Sequence, residues 1–446
     1  MNNQKITPTL EQSKVLETVN LFSDNKELDF LIIQGSAGTG KSTIMKLIID
    51  RLFSREITFH LSAPTGKAAK VIQSKTGRLA KTIHSMIYKP EKSKNGLGIK
   101  LVRKENLFRE QSIYIIDEAS MIGDVIGSSD KFLVSKPLLS DLLDYIKQGN
   151  VNNKVIFVGD KFQLPPINCQ DSPALSRAYL SKNKGLNGLV VELTQVLRQE
   201  KDSYILQAAT SLRTAIEQGG GRPKLSLNCL HNSTQAINMY SSLYDVCRPQ
   251  RVTVVAWTNK DVNFFNSAIR NKLGLGRNIL TPGDQVSFQA NWMHQRRMIM
   301  KGELATILEV DSEIEEFAGL KFVNAKVQYC LNTGDYQLVE TKVLLDVLLS
   351  YDGNLTALQE EKLLHEAYKR NPTIRETLNP FDDVYAGALR IRYGHAITCH
   401  KAQGGEWENV ILHPWMPIND LRWQYTAVTR AAKELYTYEN KYKSVA

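Results

Sequence analysis

The run Gly35-Ser36-Ala37-Gly38-Thr39-Gly40-Lys41-Ser42 has the glycine, lysine and hydroxyl spacing of a phosphate-binding loop. A glycine-rich turn lets consecutive backbone N–H groups converge on phosphate oxygens. Lys41 then reaches the β- and γ-phosphates, and Ser42, with Thr43 beside it, offers a hydroxyl to Mg2+. A second constellation is Asp117-Glu118, which ends the apolar run Tyr114-Ile115-Ile116. There Asp117 is a candidate for holding the metal through water, and Glu118 for orienting and deprotonating an attacking water. A third is Gly159-Asp160-Lys161-Phe162-Gln163-Leu164-Pro165-Pro166, in which Gln163 is a candidate γ-phosphate sensor. By themselves these last residues read better as a proline-terminated turn. The chemistry common to the three is binding and hydrolysis of a nucleoside triphosphate.

Such residues work only if the chain delivers them to one place. Short apolar runs at 30–33, 58–62, 113–116 and 155–158 alternate with helical stretches, the pattern of a parallel α/β sheet with helices on its faces. The phosphate loop, Ala63-Pro64-Thr65, Asp117-Glu118 and Gly159-Asp160 each follow one of these runs, where strand carboxyl ends carry ligand sites. After the loop, Ile44, Met45, Leu47, Ile48 and Leu52 recur at helical spacing. Runs at 252–257, 396–399, 410–412 and 435–438 predict a second α/β unit. Between about 280 and 393 the rhythm breaks into turn signals (Pro282-Gly283-Asp284, Lys301-Gly302-Glu303, Asn332-Thr333-Gly334-Asp335) and then a charged helix over 355–370. This predicts a small β-barrel-like insertion. A second insertion spans 89–103 around the hairpin-turn signal Asn95-Gly96.

A chain of 446 residues has room for roughly three domains. Its net charge of +10 suits a polyanionic partner such as nucleic acid, although a solvated basic face would give the same number. Five scattered cysteines, Cys169, Cys229, Cys247, Cys330 and Cys399, include no Cys-x-x-Cys pair, which argues against a disulfide framework or a zinc site. Met1-Asn2-Asn3-Gln4-Lys5 lacks the apolar core of a signal peptide. No run approaches the roughly 18 apolar residues of a membrane span, so a soluble cytoplasmic protein with no membrane partner is expected.

Together with 63–67 and 117–120, the phosphate loop and the Gly159–Pro166 segment resemble motifs I, Ia, II and III of superfamily 1 helicases. The likeness continues through Glu192-Leu193-Thr194-Gln195-Val196-Leu197-Arg198-Gln199 (motif IV), Thr398-Cys399-His400-Lys401-Ala402-Gln403-Gly404-Gly405-Glu406 (motif V) and Gln424-Tyr425-Thr426-Ala427-Val428-Thr429-Arg430-Ala431 (motif VI). The His-Lys-x-Gln-Gly and Val-Thr-Arg forms are similar to the 5′-to-3′ branch, the RecD-like and phage Dda-like proteins. The resemblance implies two RecA-like parallel-sheet domains: one over 1–190 with a pin insertion at about 86–110, the other over 191–280 and 392–446. An SH3-like β-barrel with a helical extension would occupy 281–391.

It further implies ATP and Mg2+ as cofactors, with Ser42 and Asp117 at the metal and Gln12 reading the adenine edge, unless Gln12 is plain helix surface. Arg198 and Arg430 would reach the γ-phosphate, and Gly404 and Glu406 would line the nucleotide. Nucleic-acid contacts would come from Pro64, Thr65, Lys67, Thr82, His84, Ser85, Thr258, Asn259, Thr398 and His400. His84 fits a structural histidine as well as a contact, and Trp257 fits the core. Gly66 departs from the Dda-like pattern, which has a base-contacting histidine there. The pin's Ser-Lys-Asn-Gly tip has no aromatic wedge, and Tyr88 or Phe108 could stack on a base or pack inside. The implied activity is ATP-dependent unwinding of DNA with 5′-to-3′ movement along a single strand. Partners would be single-stranded and forked or tailed duplex DNA, with single-strand-binding, replication or repair proteins. A translocase that unwinds little, or an ATP-switched recombination or binding protein, would share many of these residues.

Overall fold

The computed structural model describes residues 7–92, 99–126, 136–195, 203–221, 223–294, 297–330, 336–377, 379–414 and 420–439. The chain divides into two units, Met1–Asp202 and Ser203–Ala446.

The first unit runs through α1 (Leu10–Asp24), β1 (Phe30–Gly35), α2 (Lys41–Ser54), β2 (Phe59–Ala63), α3 (Gly66–Thr76), β3 (Ala80–Thr82) and the short α4 (Ile83–Ile87). A hairpin, β4 (Tyr88–Lys92) and β5 (Ile99–Arg103), leads into β6 (Ile113–Ile116), α5 (Leu138–Gly149), β7 (Lys154–Gly159), α6 (Arg177–Lys184) and β8 (Gly188–Leu193). The six long-range strands form one parallel sheet in the order β3-β2-β6-β7-β1-β8. The central strands are apolar on both faces because helices cover both. Leu31 and Ile33 pack with α1, α2 and α3, whereas Phe30 and Ile32 point to the side of α5 and α6. The buried amine of Lys154 donates to Phe22 O (2.8 Å), Asn25 O (2.5 Å) and Leu28 O (2.9 Å), tying the end of α1 to β7.

The expected boundary at 190 falls inside β8. That strand pairs with β1 from Phe30↔Gly188 to Gly35↔Leu193, so the first unit continues to Asp202. Its position at the sheet edge gives it an alternating burial pattern in place of a continuous apolar run. In the hairpin, Tyr88 pairs with Arg103 and Lys92 with Ile99, while the Asn95-Gly96 turn lies outside the described residues. Tyr88 is buried and donates to Asp141 Oδ2 at 2.7 Å, so it belongs to the core. Phe108 is 55% exposed and lies against the His60 ring.

The second unit contains α7 (Tyr204–Gln218), β9 (Asn228–Leu230), α8 (Ser233–Leu243), β10 (Val252–Ala256) and α9 (Asn259–Lys272). There follow β11 (Gln285–Phe288), β12 (Trp292–His294), β13 (Arg297–Ile299), β14 (Leu304–Phe317), β15 (Leu320–Cys330), β16 (Tyr336–Leu344), α10 (Leu345–Leu349), α11 (Ala357–Arg370), α12 (Pro372–Thr377) and β17 (Ile391–Tyr393). The unit ends with β18 (Ala396–Thr398), α13 (Cys399–Ala402), β19 (Trp407–Leu412), α14 (Leu421–Val428) and β20 (Ala431–Tyr438). One parallel sheet has the order β18-β10-β19-β20-β9, and an antiparallel sheet, β16-β15-β14-β11-β17, interrupts it in sequence. Leu389, just before β17, donates to Lys342 O and accepts from Leu344 N, joining the two ends of the antiparallel sheet. The Asn332-to-Asp335 turn signal lies outside the described residues.

A buried ion pair fixes this insertion to the parallel core. Arg270 of α9 binds Asp284, at the start of the insertion, through Nε (2.6 Å) and Nη2 (3.0 Å), and its guanidinium covers the Tyr393 ring at 4.1 Å. His395 lies 4.0 Å from Asp284 and shares a hydrogen bond with the Tyr240 hydroxyl; burial holds its pKa below the ordinary imidazole value. Removing one partner of such a pair strands the other charge in a low-dielectric interior. Arg270→Ala is therefore expected to destabilise the second unit by about 3–5 kcal/mol in denaturant unfolding; a loss below about 1 kcal/mol would show that the pair is not what joins the two sheets.

Candidate nucleotide site and nucleic-acid interface

Sheet order brings the three sequence constellations together. Strands β6, β7 and β1 are adjacent, in register at Ile116↔Phe157 and Gln34↔Gly159, so the loops that follow them lie side by side at strand spacing. Within the phosphate loop, Gly38 and Gly40 have φ of +82° and +81°, the left-handed conformation that turns backbone N–H groups inward. A Cβ on Gly35 would come within 2.7 Å of Thr39 Oγ1, so the loop closes on a bare backbone there. Ser36 and Thr39 are buried, with the Thr39 hydroxyl donating to Ser36 O, and Ala37 and Thr43 are partly buried. Lys41 Nζ donates to Gly35 O (2.6 Å) and Ser36 O (2.9 Å) and stands 3.9 Å from the buried Asp160 carboxylate. Helix α2 starts at Lys41, so its N-terminal dipole points into the loop.

Asp117 and Glu118 differ sharply in setting. Burial, and then the neighbouring Glu118 charge, push the Asp117 carboxyl up to about 7, far above the ordinary aspartate value. Glu118 has φ +50°, a left-handed conformation that costs a non-glycine residue roughly 1–3 kcal/mol, and its Oε2 is buried with no hydrogen-bond partner. Gln163 is buried with Oε1 unpartnered, aligned by the loop in which Asp160 Oδ1 accepts from Phe162 N. Hard oxygen donors at Ser42 and Asp117, the second a carboxyl whose charge is disfavoured by burial and by Glu118, suit Mg2+. Gln12 is not helix surface. It is buried, its Oε1 accepts from Thr9 N in a capping box, and its Nε2 has no partner.

A second feature is a pair of matching edges. In the first sheet, β2 and β3 pair with Ala63 opposite Thr82; in the second, β10 and β18 pair with Ala256 opposite Thr398. Each edge carries two threonines at strand ends. Thr65 caps α3 by accepting from Ala68 N (3.2 Å), after Pro64 and before Lys67, and Thr82 caps α4 by accepting from Ser85 N (3.1 Å). Ser85 Oγ donates back to Thr82 O, and the Ser85 carbonyl accepts from Lys104 Nζ at 2.7 Å. His84 is exposed, with its ring 5.8 Å from that of Tyr88. Thr258 caps α9 beside Asn259 by accepting from Asp261 N (3.1 Å), and its hydroxyl also donates to Asp261 Oδ2. Trp257 is 48% exposed and so is not core. Thr398 precedes α13 without a side-chain cap bond, and His400 is exposed. Such hydroxyls and amides suit phosphate contacts that ignore sequence.

Arg430 is buried in the second unit, where Nε donates to Thr426 O (2.9 Å), Nη1 to Gly405 O (3.0 Å) and Nη2 to Thr429 Oγ1 (3.0 Å). Gly404 has φ +68° and Glu406 is exposed. Arg198 lies outside the described residues. Sequence reasoning missed two groups. The Glu11 carboxylate accepts from Thr194 N (3.0 Å), Gln195 N (2.9 Å) and the Thr194 hydroxyl, which holds its pKa low, and Lys75 Nζ donates to Ser42 Oγ at 2.9 Å. Neither stands at a motif spacing, so only the fold reveals them.

Residues 11–222 match the family described as an AAA domain, and residues 393–438 match the UvrD-like helicase C-terminal domain. The ATP-dependent RecD2 DNA helicase of Deinococcus radiodurans is 25% identical over 421 residues, spanning 91% of this chain and 46% of the relative. The chain is thus similar to helicases of superfamily 1. The ATP-dependent DNA helicase Dda of phage T4 is 29% identical over 253 residues, 54% of this chain and 52% of that protein, so this chain spans about half the length of both. The Pif1 helicase of Candida albicans superposes with a TM-score of 0.51 at 18% identity, covering 98% of this chain and 95% of that one. At that identity the likeness concerns fold, and the two parallel sheets of this chain are its two RecA-like domains.

The raised Asp117 pKa makes a prediction about stability. Between about pH 4 and 7 the folded chain holds a proton there that the unfolded chain has released, so the residue's contribution falls as pH rises through that window. In chelator-containing buffer, Asp117→Asn is expected to unfold later than wild type at pH 8, by about 1 kcal/mol or more, with the gain fading toward pH 4. A variant less stable than wild type at pH 8 would contradict the cost of that buried charge.

Proposed function

We propose that the chain is an ATP-dependent DNA helicase that moves 5′ to 3′ along a single strand and unwinds duplex DNA. The observation that carries this reading is the repeated alanine–threonine edge, Ala63↔Thr82 and Ala256↔Thr398, with a phosphate loop present in the first sheet. Two like grips on a phosphate backbone, one of them on the sheet that holds ATP, are the parts a stepping motor needs. The polarity rests on the RecD-like and Dda-like forms of motifs V and VI. Single-stranded, forked and tailed DNA are the proposed substrates, single-strand-binding or replication and repair proteins the proposed partners, and the cytoplasm the proposed location. The antiparallel sheet after β10 is read as an SH3-like domain, and the β4–β5 hairpin as the strand-separating pin.

In this reading the loop amides and Lys41 bind the phosphates, and Gln12 uses its unpartnered Nε2 on the adenine edge. When bound at Ser42 and Asp117, Mg2+ neutralises phosphate charge. Glu118 takes the proton of the attacking water, and its lack of a protein partner at Oε2 leaves that oxygen available. Gln163 senses the γ-phosphate, Gly404 and Glu406 line the nucleotide, and Arg198 and Arg430 supply positive charge to the transferred phosphoryl group. Pro64, Thr65, Lys67, Thr82, His84 and Ser85 form one grip, and Thr258, Asn259, Thr398 and His400 the other.

Glu118→Gln is expected to lower DNA-stimulated ATP hydrolysis about 10²–10⁴-fold while sparing nucleotide binding, and Arg430→Ala to lower it about 10³-fold or more while sparing DNA binding. Undiminished turnover in both would remove these residues from the site. A partial duplex with a 5′ single-stranded tail should be unwound in ATP and Mg2+ while the 3′-tailed form is not. Unwinding from the 3′ tail alone would reverse the polarity.

A further inference from the structure

The last turn of α3 carries Lys75, whose exposed side chain reaches the phosphate loop and donates from Nζ to Ser42 Oγ at 2.9 Å. The same ammonium acts electrostatically on the buried Asp117 carboxylate. The loop's own lysine, Lys41, acts on Asp117 as well, and its Nζ donates to two loop carbonyls and stands near Asp160. Of the two oxygen donors assigned to the metal, Asp117 thus feels both lysines, while the Ser42 hydroxyl is held by a cation that comes from a different helix.

That helix has its other end at the nucleic-acid edge. Helix α3 is 11 residues, about 16 Å long, and begins at the Thr65 cap with Lys67 in its first turn. Ala68, Ala69 and Ile72 pack it into the same core cluster as Ile44, Met45 and Ile48 of α2, so one rigid element spans from the Ser42 hydroxyl to the first grip.

We infer that Lys75 is a resident counter-cation of the metal position that Mg2+ displaces, and that its release couples nucleotide binding to the grip at the start of α3. This rests on the reading of Ser42 and Asp117 as Mg2+ ligands. Mg2+ takes its oxygen ligands at 2.0–2.1 Å in near-octahedral geometry, and an ammonium on the same hydroxyl both occupies a lone pair and repels the ion. A lysine on a flexible four-carbon stem can leave without unfolding anything, which suits a reversible tether. Once it leaves, α3 loses the Lys75 tie to the Ser42 hydroxyl and keeps its apolar packing against α2.

The test uses the full chain and a fluorescent ADP analogue titrated with Mg2+. Wild type should bind the analogue more tightly as Mg2+ is added. Lys75→Met should lower the Mg2+ concentration for half-maximal effect at least threefold, with affinity in EDTA within twofold of wild type, and Lys75→Arg should keep the wild-type midpoint. The Mg2+-dependent change in affinity of the nucleotide complex for a single-stranded oligodeoxynucleotide should shrink at least twofold in Lys75→Met. An unchanged midpoint in Lys75→Met overturns the inference, since it makes the residue an ordinary surface lysine. Weakened binding in EDTA overturns it too, by making Lys75 a phosphate ligand. If wild type shows no Mg2+ effect at all, the assignment of Ser42 and Asp117 fails and the inference with it. Melting temperatures alike in all three proteins would show that each arm reports on a folded chain.

Discussion

The pairing of β1 with β7 is the constraint on which the first unit depends. Parallel strands need covered faces, and covered faces need helices that cross back over the sheet, so every strand end on one edge becomes the start of a loop. With Gln34 opposite Gly159 and Ile116 opposite Phe157, three such loops come to lie beside one another. A phosphate loop, a pair of acids and a buried amide thereby converge, although the outer two of the three constellations are more than a hundred residues apart in sequence. The Lys154 amine reinforces the same strand by taking the carbonyls at the end of α1, which places the helix carrying Gln12.

The second RecA-like sheet repeats the edge and not the nucleotide loop. Its β10–β18 pair has the register of β2–β3, with a threonine opposite an alanine and another threonine two residues beyond that alanine. At Thr65, Thr82 and Thr258 this repetition follows from capping chemistry. A strand that ends in threonine and turns into a helix satisfies the first N–H groups with its hydroxyl and presents the remaining ones outward. Where the two edges differ, the difference is local. Thr258 is locked by a capping box to Asp261, while Thr398 makes no side-chain cap bond.

Much of this was legible in the sequence because its signals are local. Buried parallel strands read as apolar runs, and 30–33, 113–116 and 155–158 fall within β1, β6 and β7. The phosphate loop reads from its glycines, since only they adopt φ near +80° without strain. Other features were hidden because they depend on partners far away. The strand β8 alternates at an edge and resembles the start of the next domain. Gln12 sits on a helix of low apolar contrast, so nothing local distinguishes a buried amide from a solvated one. Lys75 and Glu11 are ordinary charged helix residues until the fold brings Ser42 and Thr194 to them. The role of Asp284 required knowing that α9 would set Arg270 against the first turn of the insertion.

Three of the buried polar atoms without hydrogen-bond partners share a setting. Gln12 Nε2, Glu118 Oε2 and Gln163 Oε1 are buried and unpaired, and each belongs to a segment singled out for nucleotide chemistry. Leaving a buried polar atom unpaired costs roughly 1–3 kcal/mol, comparable to the strain of the left-handed Glu118 backbone. The core clusters on both faces of the sheet offset that cost by burying nearly every side chain of β1, β6 and β7. A site that satisfied all three groups internally would be more stable and would have nothing left to offer a nucleotide. The arrangement therefore places instability where binding can relieve it, and the same logic applies to Asp117, whose charge the protein alone supports poorly.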